Sequence, residues 1–121
     1  MIRSATQVAG SPDIFRFVLS GKVYAPDAPA VEAELKKAVD KGARHILLAC
    51  FSLEQVDSAV LSALIAGLEE VKKRRSGRIV FMGINDTVKR ILAITRMDKF
   101  FEIVADESAA MTLLTAGGAA S

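Results

Sequence analysis

Two apolar runs constrain this chain more than any other feature, "RHILLACF" at 44–51 and "RIVFMGI" at 78–84. Successive side chains of a strand point to opposite faces, so a run that is apolar at both parities has to be covered on both faces. Such strands belong in the middle of a sheet, with helices above and below. The segment between the runs has helical spacing. From Ser58 onward, Leu61, Leu64, Ile65, Leu68 and Val71 fall on one stripe, and "KKRRSG" closes it with cations in the last turn and a glycine beyond. A strand, a helix and a second strand at this distance predict parallel neighbours joined by a right-handed crossover.

The flanking segments extend the pattern. "IRSATQV" and "IFRFVLSG" (14–21) read as a hairpin at one edge of the sheet, separated by the turn cluster "AGSPD" at 9–13. A helix near 30–41 turns Val31, Leu35, Ala38 and Val39 inward and stops at Gly42. Asn85 and Asp86 can cap a third helix with Val88, Ile91, Leu92 and Thr95 on its inner side. "FFEIV" (100–104) is a last short strand, and Asp106 caps a final helix, "ESAAMTLL", before a small frayed tail at 115–121. The prediction is one α/β domain over 1–121, with 1–13 as edge strand and turn. Its small mixed sheet has four or five strands, flanked by about four helices.

Composition then narrows the function. With 16 basic and 14 acidic side chains the net charge is +2, which gives no reason to expect direct nucleic-acid binding or membrane attachment. Cys50 is the only cysteine and His45 the only histidine, so neither an internal disulfide nor a zinc set can be assembled. No run reaches the roughly 18 apolar residues that span a bilayer, and the first residues lack a signal-peptide core. Neither GxGxxG nor GxxxxGK[ST] occurs. Nucleophilic catalysis by Ser58 would need an oriented base, and only Asp57 stands beside it. Cys50 lies inside "LLACF" as a small hydrophobe, and "KKRRSGR" (72–78) is accounted for by a solvated helix end. The expectation is a cytoplasmic protein that is not an enzyme and needs no cofactor or metal.

What remains distinctive is "EQVDSAVLSALIAGLEE" (54–70). Asp57-Ser58 stands at a helix start, where both residue types cap well. The side of the helix away from the Leu61–Leu64–Leu68 stripe collects Ala59, Ser62, Ala63, Ala66 and Gly67, where Lys, Glu or Gln would be usual. Two readings of this small face stay open: it docks a partner, or it packs beneath another element of the same domain. Ser58 likewise is either a plain cap or a switch. A phosphoryl group there would add about −1.5 to −2 charges, which the helix N-terminus tolerates and an uncharged partner face does not.

In these residues the chain resembles the STAS domain of bacterial anti-sigma factor antagonists, sporulation type, from about Phe15 to the C-terminus. "VLSGKV", "GARHILLACFSLEQVDS" and "RIVFMGINDTVKRILAITRMDKFFEIVADESAAM" carry the likeness. It implies a binding protein whose partner is an anti-sigma factor that is also a serine kinase. That kinase phosphorylates the hydroxyl residue after the family's Asp, here Ser58 after Asp57, and a PP2C-type phosphatase reverses it. Asp57, Ala59, Val60, Ser62, Ala63 and Tyr24 are the implied contacts, and a homodimer is compatible with the family. The chain departs from the usual pattern at three places. Ala59-Val60-Leu61 replaces Ser/Thr-Gly-Leu, as in stressosome scaffold subunits, and Ala49 and Tyr24 stand where acidic residues near the partner surface are usual. The alternative is a scaffold or accessory subunit, stressosome-like or belonging to a lipid transporter.

Overall fold

The computed structural model describes residues 2–8 and 10–120. Five strands form one sheet in sequence order: β1 (Ile2–Val8), β2 (Ser11–Val23), β3 (His45–Val56), β4 (Ile79–Met82) and β5 (Glu102–Val104). β1 is antiparallel to β2, and every later pair is parallel. The crossovers are α1 (Ala28–Asp40), α2 (Ser58–Arg75) and α3 (Asp86–Ile94), and α4 (Glu107–Ala120) follows β5.

The mixed α/β sheet predicted from the two apolar runs is therefore present. Ile46, Leu48, Cys50, Phe81 and Ile79 point into a main core with Leu35, Leu61, Leu64, Val88 and Leu92 of the three crossover helices. Leu47, Ala49, Val80 and Met82 point the other way, against Ala110 and Leu114 of α4. Each large side chain buried in this way contributes about 1.5–3 kcal/mol. The Phe81 and Phe101 rings meet edge to face with centroids 5.0 Å apart, which fixes β5 against the main core.

The boundaries differ from expectation at both chain ends. β2 already begins at Ser11, so the turn is shorter than the "AGSPD" cluster; Gly10 adopts φ +80 there, and Ala9 lies outside the described residues. Helix α4 runs on to Ala120, where the small residues at 115–121 predict a frayed tail; Ser121 lies outside the described residues.

The end of α2 also uses its residues differently. Ser76, not Gly77, takes the left-handed position (φ 54); its N–H donates to the Lys72 carbonyl, and the Gly77 N–H donates to the Val71 carbonyl. Gly77 is required for space instead. A Cβ there would sit 1.5 Å from the Arg44 carbonyl oxygen.

β3 is the longest interruption of simple pairing. Its partner β4 stops at Met82, opposite Ala49, so residues 50–56 continue beside β2 alone. Two register shifts occur in this overhang, between the Val18–Ala49 and Ser20–Ser52 pairs and between the Gly21–Leu53 and Lys22–Gln55 pairs. The extra residues fall on β3 and re-aim its side chains, leaving Phe51 and Ser52 both exposed while Leu53 and Val56 return to the core.

Candidate functional site

Because β2, β3 and β4 are parallel, the chain leaves all three at the same edge of the sheet, and α1, α2 and α3 all start there. Loops at the carboxyl ends of parallel strands are where α/β folds gather their binding residues. Asp57 and Ser58 lie in the middle of this edge.

Asp57 is the cap of α2. Its backbone is extended (φ −115, ψ 178), and its Oδ1 accepts the N–H of Val60 at 3.0 Å. Its Oδ2 accepts the N–H of Ala25 at 2.7 Å, across the gap from the 3₁₀ turn Ala25–Asp27 that leads into α1. One carboxylate thus holds two helix entrances together. Beside it the Tyr24 hydroxyl donates to Gln55 Oε1 at 2.7 Å. On the other flank, Asn85 Oδ1 accepts the Val88 N–H at 2.8 Å to cap α3. Its Nδ2 donates to the carbonyls of Leu53 (3.0 Å) and Glu54 (3.2 Å). The overhanging end of β3 is fastened from both sides by side chains.

Ser58 is the first residue of α2 and is exposed. The capping duty expected of the Asp57-Ser58 pair falls on Asp57, which leaves the serine hydroxyl outside that scheme. Ser62, one turn on, is also exposed, and Asp57, Ala59 and Tyr24 are half-buried. Two expected contacts need correction. Val60 is 0% exposed and Ala63 6%, both inside the main core. The stripe that α2 buries is wider than the leucine row, because α1 packs along its flank. Gly67 shows how closely: a Cβ there would meet Leu35 Cδ1 at 2.6 Å and Leu35 Cβ at 3.1 Å. Internal packing thus accounts for Ala63 and Gly67, and the accessible strip contracts to Ser58 and Ser62, with Ala59 and Ala66 at its border.

The departures from the family pattern acquire physical reasons. Ala59 and Val60 are ordinary helical residues, since neither has positive φ, so no glycine is needed here. Val60 fills core volume that a glycine would leave open. Ala49 is 3% exposed and packs against β4 and α4, so its side chain is not at a surface; this corrects the expectation that it borders a partner. Tyr24 is tied into the Asp57 edge through Gln55. Gln55 and Asn85 are further residues of this edge. Asn85 reads as a cap in the sequence, but its second role depends on the bulged backbone of β3, which the sequence pattern barely marks.

The other candidates for chemistry are structural. Cys50 is fully buried in β3, and burial pushes its thiol up to about 12. His45 is buried at the opposite end of β3, where its Nδ1 accepts the Arg78 N–H at 3.1 Å. Among the described residues no group of three or more His, Cys, Asp or Glu side chains could hold a metal ion, and no helix is long and apolar enough to cross a membrane.

The architecture of a five-stranded mixed sheet, three helix starts at one edge and an exposed serine between them defines a protein class built around a surface. Residues 5–110 match the family model of the STAS domain, and the chain belongs to that family. The fold is shared with a protein from Thermotoga maritima (TM-score 0.80; 21% identity over 91% of this chain and 92% of that one). It is shared too with an anti-sigma factor antagonist from Mycobacterium paratuberculosis (0.78; 20%; 94% of both chains). A third similar structure is the anti-sigma factor antagonist SpoIIAA in its unphosphorylated form (0.75; 14%; 90% and 94%). The phosphorylated form of SpoIIAA, a Bacillus cell fate determinant, matches as well (0.67; 13%; 91% and 99%).

Proposed function

We propose that this protein is an anti-sigma factor antagonist of the bacterial cytoplasm. It binds an anti-sigma factor that is also a serine kinase, and phosphorylation at Ser58 switches it off until a PP2C-type phosphatase restores it. The observation that carries this reading is the division of labour between neighbours. Asp57 caps the helix with one oxygen and holds Ala25 with the other, while Ser58 stays exposed beside it. Modifying the serine therefore disturbs no fastening of the fold. A phosphoryl group at this position meets the positive end of the α2 dipole, so the domain tolerates it. A partner seated on Ser58, Ser62 and Ala59 would instead face a hydrated dianion. That a family relative occurs in phosphorylated and unphosphorylated forms supports a switch of this kind.

The test is incubation with the cognate kinase and ATP, followed by phosphopeptide mapping. Phosphate on Ser58 alone is expected; a phosphate mapped elsewhere, or tight kinase binding with no modification, sinks the switch. Ser58→Asp is expected to weaken kinase binding with the melting temperature nearly unchanged. A large loss of stability would return Ser58 to the role of a structural cap.

A further inference from the structure

At the opposite edge of the sheet, where β4 and β5 begin, the C-terminal end of α2 and residues 99–102 enclose an open cleft of about 530 Å³. Along α2, Lys72 in its wall lies about 21 Å from Ser58. Lys72, Arg78, Lys99 and Phe100 line it, over the buried Leu68 and Phe101. Its charge is not neutralised locally. Arg78 is engaged by Glu102 at 3.9 Å, and Arg74 by Asp40 and Glu70, but no ion pair among the described residues takes up Lys72 or Lys99. Of the charged side chains that line it, Lys72, Arg78 and Lys99 are basic and Glu102 alone is acidic. A large apolar side chain stands uncovered in its wall, Phe100 at 53% exposure.

We propose that this cleft is a second protein-binding surface, which takes an acidic polypeptide segment carrying a large apolar side chain. The two unpaired lysines attract carboxylates from a distance and fix their register on contact. Phe100 supplies the apolar surface that such a side chain would cover, and a concave site gives it walls. β5 is the last strand of the sheet, so its outer edge offers backbone groups to an extended segment. Charge complementarity selects the acidic partner. A bilayer would not reach into a concave cleft. Single-stranded nucleic acid would want several exposed stacking rings and uncommitted arginines, whereas only Phe100 of the two phenylalanines lining the cleft is exposed and Arg78 already holds a carboxylate. The surface does not depend on Ser58, so a partner can occupy it whatever the state of the other edge.

The experiment is fluorescence anisotropy of the whole protein with a short labelled peptide of Asp and Glu around one central Leu. Binding is expected, with affinity that falls as salt is raised. It should weaken by about tenfold or more in Lys72→Glu/Lys99→Glu and measurably in Phe100→Ala. All three positions are exposed, and unchanged melting of the variants verifies their folding. Ser58→Asp is expected to leave peptide binding unchanged, which separates this surface from the proposed switch. No binding, or equal binding by the charge-reversed variant, overturns the proposal. So does equal binding of a peptide lacking the Leu. Preference for oligo-dT or for phosphatidylglycerol vesicles over the peptide, lost in the same lysine variant, overturns it in favour of those ligands.

Discussion

At its N-terminal end α2 is fastened by side chains that reach across to backbone: Asp57 to Val60 and Ala25, with Asn85 and Tyr24 steadying the strand before it. At its C-terminal end Arg74 pairs with Asp40 of α1 on the exposed side, while the turn itself is fastened backbone on backbone. Ser76 and Gly77 return their N–H groups to the last turn, and Gly77 lies against the Arg44 carbonyl where no side chain fits. The first joint rests on side-chain hydrogen bonds beside an exposed serine, and the second on a close backbone contact that leaves no room for a Cβ.

Substitutions at the two ends should separate these joints. The largest effect is expected from Gly77→Ala, because the new methyl group meets a carbonyl oxygen that cannot rotate away; a loss of about 3 kcal/mol or more in chemical denaturation is expected. A loss under about 1 kcal/mol would mean that the turn accommodates the methyl group. Asp57→Ala comes next, at about 1–2 kcal/mol for the cap and the Ala25 bond together. Asp57→Asn should recover part of that, since an amide keeps one acceptor oxygen of the two.

His45 gives the C-terminal end a pH dependence. Burial holds its imidazole below the usual 6.5, with Arg44 and Arg78 acting in the same direction and Asp13 against it. As pH falls the unfolded chain takes up this proton before the folded one does. Stability from this group is thus complete above about pH 6.5 and declines below it. Denaturation midpoints between about pH 7 and pH 5.5 should fall less in His45→Gln than in the parent protein. Equal slopes would remove His45 from the account. The smallest effect is expected at Ser58→Ala, within about 0.5 kcal/mol, because the serine is exposed and Asp57 does the capping. A larger loss would make the N-terminal joint a two-residue device.

Much of this frame is legible in the sequence, because period and burial are local. Both apolar runs became central strands, and Leu61, Leu64, Leu68 and Val71 are buried as their spacing requires. Two things are not legible, and both depend on what lies alongside. Ala63 and Gly67 look like an outer face until α1 is laid against them, since a small residue suits a close helix contact as well as a docking surface. The bulged overhang of β3 leaves only a faint trace, the three-residue spacing of Leu53 and Val56 on one face where a regular strand would give two. Without that bulge the bridging role of Asn85 cannot be read.

The double engagement of Asp57 has a chemical consequence. Each of its oxygens already accepts a backbone N–H, so the carboxylate is held in a fixed orientation by two helix entrances, with a second lone pair on each oxygen left for another donor. Ser58, the proposed acceptor, thus stands beside a carboxylate whose placement is fixed by the fold. For an enzyme acting on Ser58 as proposed, that carboxylate is a landmark of constant position beside the target hydroxyl, set by the same two bonds that join the helix entrances.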